Sequence, residues 1–204
     1  MSAEPVLSAT QRAFLASARR AVLATIGPDG RPRLVPICFV LHDTQAVLYS
    51  PIDEKPKRSA DPLALARVQD VLTDPRVSVL VDRWDEDWVH LGWLRCHGVA
   101  TLVLPTAADA REHAKVVVDL LTRYPQYAAH RLGDRPIIRI AIERATSWGD
   151  LAPWPAPAPW PTPSVRQKSV VRKPKPGSGD PETTPSRSAE GNAWNSSPGG
   201  SRRR

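Results

Sequence analysis

The chain has 204 residues and a formal net charge of +7. Residues 153–204 carry nine Lys and Arg against three acids, a net +6, which leaves +1 for residues 1–152. The basic balance therefore belongs to a tail and excludes a charge argument for nucleic-acid or membrane binding by the rest, whose length suits one domain with a sizeable core.

Ser8 is placed to cap a short helix over residues 8–20, with Phe14, Leu15 and Ala18 at helical spacing. Ala21–Ile26 reads as a buried strand, Gly27-Pro28-Asp29-Gly30 as a turn, and Arg33–Val40 as the second strand of a hairpin. A third strand, Ala46–Ser50, follows the turn His42–Gln45, and the three together predict an antiparallel meander. Asp61-Pro62 opens a helix that runs to about Thr73, and Val77–Val81 is again a strand. Trp88–Val103 reads as one long strand or a bulged pair, with Gly92 and Gly98 as bend points. On residues 107–123 Ala110, Ala114, Val117, Val118 and Leu121 share one helical stripe, and residues 136–148 give a last strand. Six or seven short strands and three helices without βαβ alternation predict a closed antiparallel barrel with peripheral helices. From Pro153 the chain turns Pro-rich and then basic, a composition that cannot offset its ordering entropy. It is expected to be a disordered tail without a nucleic-acid motif.

Cys38 and Cys96 lie in apolar runs without CxxC spacing, which predicts two buried thiols. With no signal-peptide core and no apolar run of about 18 residues, the expected setting is the cytoplasm, with no membrane contact. His42, His90, His97, His113 and His130 show no metal spacing, and no GxSxG, Walker or GxGxxG string occurs. Trp84 and Trp148 are expected in the core or at a dimer interface, Trp88 and Trp93 along a cofactor cleft.

The stretch with the most chemistry is Tyr49-Ser50-Pro51-Ile52-Asp53-Glu54-Lys55-Pro56-Lys57-Arg58. A small hydroxyl residue at a strand end, followed by Lys55, Lys57 and Arg58 on a proline-stiffened loop, supplies short donors and positive charge for a phosphate. A solvated basic turn, partly neutralised by Asp53 and Glu54, is the bland alternative. No side chain stands out as a general acid or base, which fits chemistry carried by a cofactor. Pro36, lacking an N–H, fits a strand edge facing a groove, where its neighbours Val35 and Ile37 keep N–H groups that can meet a ligand carbonyl.

Three strings carry a resemblance: Ala24–Pro32 with Val35-Pro36, Tyr49-Ser50 with Lys55-Pro56-Lys57, and Asp74–Leu80. At this spacing they resemble the pyridoxamine 5′-phosphate oxidase-like superfamily of flavin- and deazaflavin-binding split barrels, over residues from about 10 to 150. Asp87-Trp88 with Leu91–Arg95 and Gly98 looks like its actinobacterial branch of probable coenzyme F420-dependent enzymes. The resemblance implies a six-stranded Greek-key split barrel and a homodimer with cofactor clefts between subunits. The phosphate would lie on Ser50, Lys55, Lys57 and Arg58, with Lys57 as the best match, and the ring along Val35, Pro36 and Ile37. In the flavin oxidases a polar residue reaches across from the other subunit at the position of Trp93. This departure, and the lack of a clear match to that oxidase's substrate arginines, argue against a conventional pyridoxamine phosphate oxidase. The function implied is an F420-dependent oxidoreductase passing hydride to a small organic substrate. FMN is the alternative cofactor. A non-catalytic flavin, F420 or haem carrier, the last with His90 or His97 as axial ligand, is the alternative class.

Overall fold

The computed structural model describes residues 5–54 and 61–155. The Pro-rich and basic tail expected from residue 153 lies, from residue 156 on, outside the described residues. The described part is mainly β. Its elements are α1 (Ala9–Ser17), β1 (Ala21–Ile26), β2 (Pro32–Ile37), β3 (Val40–Leu41), β4 (Val47–Pro51), α2 (Ala66–Thr73), β5 (Arg76–Arg83), β6 (Gly92–Val103), α3 (Ala110–Arg123) and β7 (Ile137–Gly149). Short 3₁₀ turns at Pro62–Ala64, Trp88–His90, Pro125–Ala129 and Leu132–Asp134 join them.

Local chemistry explains the boundaries. Ser8 Oγ accepts from Gln11 N at 3.2 Å while Gln11 Oε1 accepts from Ser8 N at 3.0 Å, so both ends of a capping box start α1. The β1–β2 turn closes with Gly30 N donating to Gly27 O at 2.9 Å, and Gly30 takes φ 75°, a left-handed conformation that glycine adopts without steric cost. In β6 the register against β7 slips between His97 and Gly98. A Cβ on Gly98 would stand 2.1 Å from the Ala141 carbonyl oxygen, so the bulge requires a residue without one.

The seven strands form one antiparallel sheet in the order β2-β1-β5-β6-β7-β4-β3. Its two outermost strands, β2 and β3, are separated in the chain by Cys38 and Phe39 alone. A sheet whose opposite edges are two residues apart has to curl onto itself, and it does so without closing the hydrogen-bond ladder. This is a split barrel, open along the line between β2 and the β3–β4 edge.

Three expectations change here. The barrel has seven strands where six were expected, because the predicted strand Arg33–Val40 breaks at Phe39. Phe39 N donates to Tyr124 Oη at 3.1 Å and Tyr124 Oη donates to Phe39 O at 2.7 Å, so a side chain replaces the ladder at that corner. The predicted meander does not form either. β4 pairs with β7 and β3, not with β2, and it runs on through Pro51 opposite Ile137. On α3 the buried residues are His113, Val116 and Leu120, whereas Val118 is 61% exposed and Leu121 36%, so the predicted stripe is not the packed face.

Inside the barrel lie Leu23, Leu48, Val79, Leu94, Ile138 and Ile140, closed at one end by Phe14 and Leu15 of α1. A second cluster fills the space between the sheet and α3: Val47, Tyr49, Val116, Leu120, Tyr124 and Tyr127. Val47 and Tyr49 of β4 thus face the second cluster while Leu48 between them faces the barrel, the alternation a strand dictates. Asp70 on α2 is buried, with Thr25 Oγ1 donating to it at 2.8 Å and Arg33 Nη1 at 3.0 Å, which ties α2 to β1 and β2. No helix among the described residues is long and apolar enough to cross a membrane.

Candidate functional site

The split leaves a cleft of about 280 Å³ between the free edge of β2 and the end of β4. Val35, Pro36, Ile37 and Cys38 form one wall, and Ser50, Pro51 and Asp53 the other. Arg20, Arg67 and Tyr127 complete it. Pro36 sits on a terminal strand of the sheet, where a residue without an N–H costs no ladder bond.

Ser50 is 2% exposed, and its side chain makes no hydrogen bond among the described residues. No buried side-chain oxygen or nitrogen lacks a partner among the described residues, so the Ser50 hydroxyl keeps access to the cleft it lines, where a ligand oxygen can meet it. Arg67 stands at the start of α2, where burial lowers its pKa and the charge of Asp53 opposes that shift; a guanidinium stays charged there. Arg20 brings a second guanidinium with no ion-pair partner among the described residues. Burial and a hydrogen bond with Cys38 push Tyr127 well above the ordinary tyrosine range, so its hydroxyl stays protonated. One hydroxyl and two guanidiniums against the single Asp53 carboxylate leave one positive charge in the cleft, a lining that suits an oxyanion.

The start of the cationic stretch is fixed from outside. Glu54 N donates to His130 Nδ1 at 3.2 Å, its carboxylate accepts from Arg131 N at 3.1 Å, and Arg135 Nε lies 3.6 Å away. The next residues in sequence, Lys55, Lys57 and Arg58, lie outside the described residues.

Of the expected site residues, the cleft brings together Val35, Pro36, Ile37 and Ser50. Trp93 lies elsewhere, on the outer face of the sheet, where it lines an apolar groove of about 330 Å³ with Val22, Leu34 and Leu80. Trp88 is 73% exposed in the 3₁₀ turn before β6. Trp84 and Trp148 are exposed and so not in the core. His97, on the outer face, has Nδ1 2.8 Å from Ser78 Oγ, and His90 is exposed beside Asp87. Cys96 is buried and its thiol is pushed up to about 12, whereas Cys38 is half-buried in the cleft.

Sequence reasoning did not find Arg20, Arg67 or Tyr127. Arg20 follows Arg19 at the end of a helical stretch and read as a helix-end charge. Arg67 lies in an amphipathic helix, and Tyr127 comes from a turn 77 residues beyond Ser50. Only the folded sheet brings them to β4.

The sequence family described as pyridoxamine 5′-phosphate oxidase matches residues 7–149. Among solved structures, a conserved hypothetical protein from Mycobacterium tuberculosis is similar at 26% identity and a TM-score of 0.55, over 73% of this chain and 89% of that one. A protein of unknown function from Agrobacterium tumefaciens gives 20% identity and 0.54, over 74% and 64%. A heme binding protein from Mycobacterium smegmatis gives 18% and 0.53, over 72% and 56%. The last two share the fold. No curated protein matches the sequence.

Proposed function

This chain belongs to the pyridoxamine 5′-phosphate oxidase family, and from that premise we propose that it is an F420-dependent oxidoreductase whose cofactor is held at the split of the barrel. The observation that carries the reading is the Ser50 side chain, without a partner among the described residues, in one cleft with Arg20 and Arg67 on a strand that leads into Lys55-Pro56-Lys57-Arg58. Ser50 donates to a phosphate oxygen of the cofactor. Arg20 and Arg67 neutralise its charge together with Lys57, and with Lys55 and Arg58 in support. The β2 edge at Val35, Pro36 and Ile37 lies along the ring system. When bound, the deazaflavin supplies the hydride chemistry, and the chain's own residues bind, orient and exclude water.

The outer sheet face supports a homodimer. Leu34 is 67% exposed in a groove shared with Val22, Leu80 and Trp93, an apolar surface of the kind that a second subunit covers. In that dimer Trp93, with Trp88, comes to the cleft from the neighbouring copy. FMN is the second reading of the cofactor, as the resemblance implies. A haem carrier finds less support, because no described histidine lines the cleft.

Thermal-shift measurements with F420, FMN and hemin test the proposal. A cofactor at 100 times its Kd adds about 2.7 kcal/mol of stability, a rise in Tm of several degrees. A rise with F420 supports the reading and a rise with FMN alone moves it to the flavin. No rise with either overturns it.

A further inference from the structure

On the opposite side of β4, where Tyr49 points away from the barrel, a cleft of about 630 Å³ opens between α3 and the β3–β4 edge. Tyr49, Glu112 and Arg139 form its floor. Tyr49 Oη donates to Glu112 Oε1 at 2.6 Å and Arg139 Nε lies 3.3 Å from the same oxygen.

The acids lining this cleft already have partners. Glu112 is held by Tyr49 and Arg139, Asp109 accepts from Leu104 N at 2.9 Å, and Asp119 accepts from Lys115 Nζ at 2.8 Å. Several donors do not. Arg111 has no partner among the described residues. Arg139, about one-third exposed, has only Glu112 as a carboxylate partner, on its Nε side. His42 receives Thr44 N and Gln45 N on Nδ1, so its neutral ring carries the proton on Nε2, as a further donor. The first turn of α3 also lacks a side-chain cap. The lining balances Arg111, Lys115 and Arg139 against Asp109, Glu112 and Asp119, and the exposed Arg111 and the Nη atoms of Arg139 are the donors left for an acceptor-rich guest.

We propose that this cleft is a second binding site, for a small organic oxyanion (a carboxylate or a phosphate ester) received by Arg139 and Arg111 over the Tyr49–Glu112 floor. The site is separate from the one at the split, because Tyr49 and Ser50, neighbours on β4, line different clefts. The guanidinium fork suits either oxyanion, and the volume admits a guest of several carbons.

The test follows the tyrosine ring carbons and the amides of α3 by NMR while citrate, and separately glycerol phosphate, is added to the full chain. The expected result is a saturable shift at Tyr49 and the first turn of α3 with at least one of the two, and that one names the class. Arg111→Ala, which removes no contact among the described residues, weakens it about tenfold, and Arg139→Gln by about ten- to a hundredfold. The absence of a saturable shift with both ions, or equal affinity in Arg111→Ala and the unaltered chain, overturns the proposal. F420 or FMN binding is read in the same samples, so failure here stays distinct from failure at the split.

Discussion

Replacing Tyr124 by phenylalanine tests how the split is held. The Tyr124 hydroxyl accepts from Phe39 N at 3.1 Å, donates to Phe39 O at 2.7 Å, and lies 3.0 Å from Arg19 O and 3.3 Å from Arg123 Nε. Phe39 is fully buried at the corner between the two edges of the sheet, so Tyr124→Phe strands one backbone donor and one acceptor out of reach of water. Each stranded group costs about 1–3 kcal/mol, and partial relaxation brings the sum to about 2–4 kcal/mol. The partly exposed arginines find water and add little. Urea unfolding followed by tryptophan fluorescence measures the loss, with the slope against denaturant unchanged. Cys38, next to this corner, lines the cleft, so cofactor affinity falls in the same variant. A change in stability below about 0.5 kcal/mol would refute the reasoning, since it would mean that the corner finds other partners at no cost.

Further outcomes follow from the same structure. Lys57→Ala weakens cofactor binding by about ten- to a hundredfold in a titration, the value of one charge-assisted contact. Alkylation followed by mass spectrometry labels Cys38 in the native protein and Cys96 only on unfolding, because burial pushes the Cys96 thiol up to about 12; bound cofactor protects Cys38. Burial and the neighbouring Glu112 carboxylate push Tyr49 up to about 12. Its folded value is raised above the unfolded one, so its contribution is intact below about pH 10 and is lost as pH rises toward 12, which a stability series across that range detects.

Much of the architecture could be read from the chain because it is written in short-range chemistry. The Ser8 cap, the Gly30 turn and the Gly98 bulge are each set by the residue at that position, whereas Asp61-Pro62 opens only a 3₁₀ turn, Pro62–Ala64, and the expected helix starts afresh at Ala66 after an extended Leu65. What the sequence did not disclose depends on distant partners. The break at Phe39 requires Tyr124, which is 85 residues away in the chain. The face of α3 was misjudged because its packed side contains His113, whose Nε2 meets Arg135 O at 2.8 Å, while Val118 and Leu121 turn outward. Periodicity counts a histidine as polar, but the protein buries this one with its hydrogen bond made. The β2 wall and Ser50 of the cleft were legible as strings, and its two arginines were not, because nothing local in Arg20 or Arg67 distinguishes them from helix-surface charges.

The most direct test of the cofactor site is a titration of F420 and FMN into the purified full chain and into Arg67→Gln. Arg67→Gln removes one of the two guanidiniums beside Ser50 and keeps a side chain of similar reach. The expected result is saturable binding of one cofactor by the unaltered chain and an affinity about tenfold lower in the variant. Binding of equal strength in both, or of neither cofactor by the unaltered chain, contradicts an anionic cofactor held at the split.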